Sequence, residues 1–226
     1  MVAVVLGVVG ARGGAGASTL AAALAGQLAR RTATVLVDLD RGSGGIDVLL
    51  GLEGVDGVRW PDLRDARGDV PGADVVAVLP RWGSCAVLSA DRSRSGAPEP
   101  AVVADVLHGL CAAVGAVVLD LDRSAVVAGE SLVAVCDSVL VVAPRDLRSV
   151  AGVLAMRPFL GPDAGLVVRG PAPGGLGASE VAAAVGLPVV GSLRRDRRLP
   201  SALEHGGLEV RGRTARTAGR LARGVL

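Results

Sequence analysis

Short apolar runs alternate along the chain with longer segments in which apolar residues recur at helical spacing. The runs are almost continuous valine and leucine, which is typical of strands buried on both faces of a parallel sheet. They cover residues 3–9, 34–39, 85–89, 116–121, 138–143, 165–168 and 188–193. The helical segments cover residues 18–30, 46–51, 100–114, 147–160, 179–185 and 199–205. This alternation predicts a doubly wound α/β fold, with helices on both faces of a mainly parallel sheet.

Two stretches between these elements are less regular. Residues 54–79 are compatible with one or two helices carrying Trp60, because prolines and glycines interrupt any longer element. Residues 92–100 are predicted to be a polar loop. The chain contains no internal repeat and no long linker, so we expect one domain over residues 1–226 without a receiver domain.

The composition supports a folded core and limits the chemistry. Half of the 226 residues are hydrophobic and 20% are charged, which is typical of a globular chain. The aromatic residues, which we expect in the core or an interface, are Trp60, Trp82 and Phe159. Their scarcity disfavours modules that stack nucleic acid bases. All 24 basic residues are arginine, which excludes chemistry that requires a lysine amine.

We expect a cytoplasmic protein with reduced cysteines. The longest uncharged run, residues 13–29, is too short and too polar to cross a bilayer, and the first residues lack the basic segment of a signal peptide. Cys85, Cys111 and Cys136 are odd in number and scattered, so neither a disulfide framework nor a zinc site is predicted. The net charge of +2 does not by itself indicate nucleic acid.

A glycine-rich turn with the sequence GARGGAGAST, residues 10–19, joins the first predicted strand to the first predicted helix. Glycines let backbone amides face an anion, and a helix amino end favours phosphate. The Ser18 hydroxyl then stands where it can ligate Mg²⁺. The turn departs from the standard P-loop, since Ala11 replaces the first glycine and Ala17 the lysine. The alternative is a turn that merely connects two elements.

The segment from Arg12 to Thr19 resembles the deviant Walker motif of the MinD/ParA ATPases. It is most similar to the CpaE- and TadZ-like branch that accompanies Flp pilus (tad) and secretion loci, including actinobacterial-type septum-site-determining proteins. Residues 35–40 and 44–47 resemble switch I of this family, residues 117–122 its Walker B strand, and residues 191–196 its adenine-side loop. The resemblance implies a P-loop ATPase fold and the cofactors ATP and Mg²⁺.

The resemblance also assigns residues to roles. It implies a nucleotide site formed by Arg12, Gly13, Gly14, Ala15, Gly16, Ala17, Ser18, Thr19, Arg194 and Asp196. It implies Mg²⁺ ligands, directly or through water, at Ser18, Asp38 and Asp120, and catalytic roles for Asp40 and Arg12.

The carboxylates also follow a pattern of their own. Asp38 and Asp40 close one apolar strand two residues apart, so their side chains share a face, and Asp120 closes another strand. Carboxylates at such strand ends can hold Mg²⁺ or orient a water. The alternative for these residues, and for Asp122, is that they cap helices or turns.

Two positions bear on mechanism. The resemblance implies that Arg12 reaches the phosphates of a partner chain across an ATP-dependent homodimer; the alternative is a solvated loop arginine. Because Ala17 lacks the lysine amine, we expect ATP binding with slow or absent hydrolysis. Arg169 stands where relatives often carry an amide that reads adenine, so base specificity is left open.

Two groups of arginines have both a structural and a functional interpretation. Arg194, Arg195, Arg197 and Arg198 surround Asp196 as a solvated face, or else contact nucleotide or an acidic partner. Residues 210–226 form a predicted amphipathic basic helix that packs on its own domain or contacts anionic lipid. His108 and His205 lack the partners of a catalytic triad.

The resemblance favours an ATP-dependent homodimer that positions a pilus, secretion or septum apparatus. Its expected partners are a pilus or secretion ATPase, or septum or polar proteins, with recruitment to the inner membrane face, pole or septum. The alternatives are a pseudo-ATPase scaffold without nucleotide and a ParA-like ATPase that binds DNA, although nucleic acid is disfavoured by the absence of lysine.

Overall fold

The computed structural model describes residues 3–40, 44–94, 98–196, 199–204 and 206–224. In this part of the chain eight strands form one sheet in the order β3-β4-β2-β5-β1-β6-β7-β8. The strands are β1 Val4–Gly10, β2 Thr34–Asp38, β3 Arg81–Trp82, β4 Cys85–Leu88, β5 Ala116–Asp120, β6 Ser138–Pro144, β7 Ala164–Arg169 and β8 Val189–Leu193. All neighbours pair in parallel except β3 and β4, which form an antiparallel hairpin at one edge.

Helices cover both faces of the sheet. They are α1 Ala17–Leu28, α2 Ile46–Leu50, α3 Gly72–Val78, α4 Pro100–Ala113, α5 Arg123–Ala128, α6 Leu147–Met156, α7 Ala178–Val185, α8 Leu199–Glu204 and α9 Gly212–Arg223. Short 3₁₀ turns occur at Trp60–Leu63, Leu132–Val135 and Arg157–Phe159. The doubly wound α/β prediction is therefore confirmed.

The sequence pattern located each of the seven long strands but missed two short elements, β3 and α5. Strand β3 has only two residues, and α5 has six, so neither is long enough to show a period. Helix α3 occupies the ambiguous stretch 54–79, which also contains the 3₁₀ turn that begins at Trp60. Predictions that involve Arg197, Arg198, His205 and Val225 fall outside the described residues.

The sheet separates two apolar layers. One lies under α1, α2 and α9, and the other under α3 to α7. Alanines let α1 approach the sheet closely, because Ala21, Ala22 and Ala25 are fully buried. Trp60 is buried and Trp82 packs against Gly26 of α1. Phe159 lies at the surface and not in the core, which was one of the two positions predicted for the aromatic residues. Valine, leucine and alanine thus fill a core that aromatic residues usually share.

The carboxyl-terminal helix packs on its own domain. Its apolar residues Ala218 and Ala222 are buried against the α1 side of the sheet. The Thr217 hydroxyl donates a hydrogen bond of 3.1 Å to the carbonyl of Ser192 in β8. The small apolar face of α9 is therefore already covered, and its arginines point away from it. None of the helices in the described segments has the length and hydropathy needed to traverse a bilayer.

Candidate phosphate-binding site

The turn between β1 and α1 has the backbone geometry of an anion cradle. Gly14 and Gly16 have φ angles of 70° and 98°, in the left-handed region that favours glycine. A Cβ added at Gly13 or Gly14 would meet nothing within 4 Å, so the space above the turn is open. Within the described part of the chain no side chain caps the amino end of α1. Its first amides remain as donors for an anion.

The turn is held in place from behind. The Ala11 amide donates 2.9 Å to the carbonyl of Val142 in β6, and the Arg123 Nε donates 3.1 Å to the Ala11 carbonyl. Helix α6 approaches the same carbonyl at Gly152, where a Cβ would lie 1.9 Å from the oxygen. Only glycine fits there, so packing of α6 fixes the position at which the turn begins.

Arg12 is tied to its own chain. Its Nη2 lies 2.8 Å from the Asp146 carboxylate, and its Nε lies 3.2 Å from the Ser149 hydroxyl. The Arg12 guanidinium lowers the pKa of Asp146 to about 2, and the amide of Ser149 contributes in the same direction. Arg12 is thus placed beside the turn, in an ion pair rather than as a free loop arginine.

Asp38 and Asp120 are paired residues at the ends of the neighbouring strands β2 and β5. Both are buried, and burial raises the pKa of Asp38 to about 6 and that of Asp120 to about 8. A hydrogen bond from the Ser18 hydroxyl pulls the pKa of Asp120 back down in part. The structure therefore brings three predicted metal-site residues together, and two of them are desolvated carboxyl groups.

Asp38 also has a structural task. Its two carboxylate oxygens accept hydrogen bonds from the Asp40 and Ile46 amides, at 3.0 and 2.8 Å. Its carbonyl accepts a 2.7 Å bond from the indole of Trp60. Asp122, in contrast, caps helix α5 by accepting from the Ser124 amide at 2.7 Å, which is the capping alternative.

This donor set fits Mg²⁺ bound together with a nucleotide. No cluster of three or more His, Cys, Asp or Glu side chains in the described segments could hold a metal alone. Mg²⁺ ordinarily takes one or two protein carboxylates or hydroxyls and completes its shell with water and phosphate oxygens. Ser18 and Asp120 match that pattern because they are hydrogen-bonded to each other at the start of α1, and Asp38 is the strand neighbour of Asp120.

An apolar cavity of about 370 Å³ adjoins Asp40. Its walls include Asp38, Trp60, Val103 and Leu121, and its rim includes Arg94. Sequence reasoning did not find it, because the walls come from segments far apart in the chain. Asp38 and Asp40 both line it, so the cavity adjoins one of the two paired carboxyl groups.

The turn also receives an arginine that sequence reasoning assigned elsewhere. The Nη1 of Arg169, at the end of β7, donates to the carbonyls of Gly14 and Ala15 at 3.0 and 2.7 Å. Arg194 lines a separate groove between α1 and α9, and Asp196 is exposed after β8. Arg195, rather than Arg194, is near enough to lower the pKa of Arg169.

Comparison with other proteins gives two kinds of match. No protein-family model matches the chain. Two uncharacterised proteins of Mycobacterium tuberculosis, from strains CDC 1551 and H37Rv, are 43% identical over 229 residues. The match covers 98% of this chain and 63% of each relative, so the chain spans less than two thirds of their length.

Solved structures match the whole fold at low sequence identity. A ParA family ATPase from Chlorobium tepidum superposes with a TM-score of 0.82 at 17% identity, covering 98% of both chains. MinD of Pyrococcus horikoshii, solved with Mg-ADP, superposes with a TM-score of 0.74 at 14% identity, covering 100% of this chain and 96% of that one. The chain therefore has the fold of the MinD and ParA P-loop ATPases.

Proposed function

We propose that this chain binds Mg·ATP at the turn of residues 12–19 and hydrolyses it slowly or not at all. The observation that carries the proposal is the open glycine turn beside Ser18, Asp38 and Asp120. Ser18, Asp38 and Asp120 are the residues that would hold Mg²⁺, directly or through water, and the ion would supply positive charge beside the buried carboxylates and the phosphates. In this arrangement Gly13 to Thr19 bind the phosphates, and Asp40 orients a water.

Slow hydrolysis follows from the residues present. Phosphoryl transfer depends on positioned positive charge, and the loss of one such donor costs roughly 3 kcal/mol of transition-state stabilisation. Ala17 removes the amine, while the backbone amides and the Mg²⁺ residues that bind the ground state are retained. Binding therefore suffers less than turnover.

We further propose that nucleotide promotes a homodimer in which Arg12 leaves Asp146 and contacts the phosphates of the partner chain. An ion pair of this partly exposed kind is worth about 1 kcal/mol or less, so a bidentate contact with phosphate can replace it. The dimer would position a pilus, secretion or septum apparatus through a pilus or secretion ATPase, or through septum or polar proteins. This biological role rests on the resemblance of the motifs.

Two solution experiments test these statements. Isothermal titration with Mg·ATP should give one site per chain, and binding should weaken at least about tenfold in Ser18→Ala, which loses a Mg²⁺ ligand. Size-exclusion with light scattering should show more dimer with ATP than with ADP. No binding would favour the pseudo-ATPase scaffold, for which Ala11 and Ala17 are the evidence. Equal monomer profiles would reject the dimer.

A second candidate function is DNA binding, and the groove between α1 and α9 favours it. Six arginines, and no acidic residue among the described lining, surround a space of about 860 Å³: Arg30, Arg194, Arg213, Arg216, Arg220 and Arg223. Phosphate contacts of this kind produce binding that weakens steeply with salt. A salt-dependent mobility shift that Arg216→Ala and Arg220→Ala reduce would support it. Flotation with anionic liposomes instead would support membrane recruitment.

A further inference from the structure

Arg169, at the end of β7, contacts the phosphate turn at residues far from it in the sequence. Its guanidinium lies against the phosphate turn, donating to the Gly14 and Ala15 carbonyls through Nη1 alone. That nitrogen lies 3.0 Å from where a Cβ on Gly16 would be. The side chain therefore reaches from the end of β7 to the residues that precede α1.

The charge of Arg169 is not neutralised by an acid. Among the described residues it takes part in no ion pair, whereas Arg12 is paired with Asp146. Burial lowers the pKa of Arg169, and the nearby guanidinium groups of Arg195 and Arg12 lower it further. An arginine stays charged under these conditions. A half-desolvated cation without a counter-ion is costly unless an anion joins it.

The two hydrogen bonds also orient the turn. In a planar trans peptide the carbonyl and the following amide point in opposite directions. Because Arg169 holds the Gly14 and Ala15 carbonyls, the amides of Ala15 and Gly16 point away from it. The Ala15 amide is used within the turn, by the Arg12 carbonyl at 3.2 Å. No acceptor for the Gly16 amide is found in the described segments, so this donor is available to an anion.

We propose that Arg169 is the positioning cation of the phosphate turn in this lysine-free chain. It holds the Gly14 and Ala15 carbonyls so that the available Gly16 amide faces the nucleotide phosphates, and it supplies from β7 the positive charge that Ala17 does not. The inference rests on the proposed nucleotide binding and adds to it which residue replaces the amine. It predicts that the contribution of Arg169 to affinity grows with the number of phosphates on the ligand.

Isothermal titration of the full chain with Mg·ATP, Mg·ADP and AMP tests this inference. We compare the wild type with Arg169→Lys, Arg169→Gln and Arg169→Ala. Arg64→Gln is the matched control, because it removes one exposed arginine charge far from the turn. Circular dichroism confirms that each variant is folded. A glutamine amide can still donate to a carbonyl but carries no charge, so it separates orientation from charge.

We expect Arg169→Ala to weaken ATP binding by roughly tenfold to a hundredfold and AMP binding by less than threefold, with ADP between them. Arg169→Gln should lose less ATP affinity than Arg169→Ala, because its amide can still hold a carbonyl of the turn. Arg169→Lys should recover most of the loss, and Arg64→Gln should bind as the wild type. If the wild type binds Mg·ATP and Arg169→Ala binds it with the same affinity, the inference is overturned while the proposed nucleotide binding stands. Equal losses of ATP and AMP affinity in Arg169→Ala would also overturn the inference, since they indicate a contact with the base. Tighter ATP binding by Arg169→Ala would overturn it as well, because Arg169 would then obstruct the site. Absence of binding by the wild type would reject the proposed function and the inference together.

Discussion

Asp38 and Asp120 occupy paired positions on β2 and β5, both carboxyl groups are buried, and Asp120 accepts a hydrogen bond from the Ser18 hydroxyl. Burial raises the pKa of both groups, and neighbouring carboxylates raise it further: Asp38 acts on Asp120, and Asp40 acts on both. Ionising either group in this buried position costs free energy, which a bound cation would offset. The pair therefore links stability to pH, and under the proposed function it would link both to Mg²⁺.

The first prediction concerns stability without Mg²⁺. The native pKa of Asp120 is about 8 and the unfolded value is 3.8, so the native state binds more protons between about pH 4 and 8. Stability should therefore fall as pH rises through this window. Asp120→Asn removes the titration and should raise the free energy of unfolding at pH 8 by about 2 kcal/mol, with little change at pH 4.

Urea denaturation in EDTA at both pH values measures this effect. The control is Asp163→Asn. Asp163 is exposed, and the hydrogen bond that it accepts from the Ser138 hydroxyl is to its backbone carbonyl, which the substitution keeps. A wild-type stability that rises from pH 5 to 8, with Asp120→Asn following it in parallel, contradicts the account of the buried pair.

A second prediction concerns Gly152 in α6. In most helix interiors glycine to alanine stabilises by about 1 kcal/mol, but here the new Cβ would lie 1.9 Å from the Ala11 carbonyl oxygen. Gly152→Ala should destabilise the fold by about 1–3 kcal/mol and weaken nucleotide binding, because α6 must move away from the turn. Gly161→Ala, which meets nothing within 4 Å, is the control for chemical denaturation. Equal free energies of unfolding for the two variants would show that packing of α6 does not fix the position of the turn.

A third prediction restores the missing amine. Ala17→Lys places an ammonium at the start of α1 and should raise the ATP hydrolysis rate of the purified protein by at least about tenfold. Ala17→Met has a side chain of similar length without charge and should leave the rate near that of the wild type. A steady-state phosphate-release assay compares the three proteins. Rapid ATP turnover by the wild type would contradict the premise that the missing amine at Ala17 limits hydrolysis.

A fourth prediction concerns the ion pair of Arg12. Asp146→Asn keeps an oxygen that can accept the 2.8 Å bond from the Ser149 amide, so α6 stays capped, but it releases Arg12. The ATP-dependent dimer should then tighten by roughly three- to tenfold, as measured by sedimentation velocity. Glu99→Gln, which breaks the exposed pair with Arg67, should leave dimerisation unchanged. If Asp146→Asn weakens the dimer, Asp146 does not restrain Arg12.

The sequence predicted the fold well because buried parallel strands leave a strong local pattern. Each long strand is a near-continuous valine and leucine run, and the turn after β1 is marked by glycines. The pairing of Ser18, Asp38 and Asp120 was also predictable, since the carboxyl ends of neighbouring strands meet at one edge. The structure supports these elements through register and burial.

Other features depend on contacts across the chain that leave no local pattern. The contact of Arg169 with the turn joins residues more than 150 positions apart, and that of Arg12 with Asp146 joins residues 134 apart. Gly152 reads as an ordinary helix residue until the Ala11 carbonyl is placed beside it. The cavity beside Asp40 likewise forms only when several loops converge.

A structure of the protein with Mg²⁺ and a non-hydrolysable ATP analogue tests the central claim most directly. We expect the β- and γ-phosphates on the amides of Gly13 to Ser18, with Mg²⁺ held between Ser18 and a deprotonated Asp120. A turn without phosphate, or an analogue bound only in the cavity beside Asp40 or the groove along α9, would contradict it.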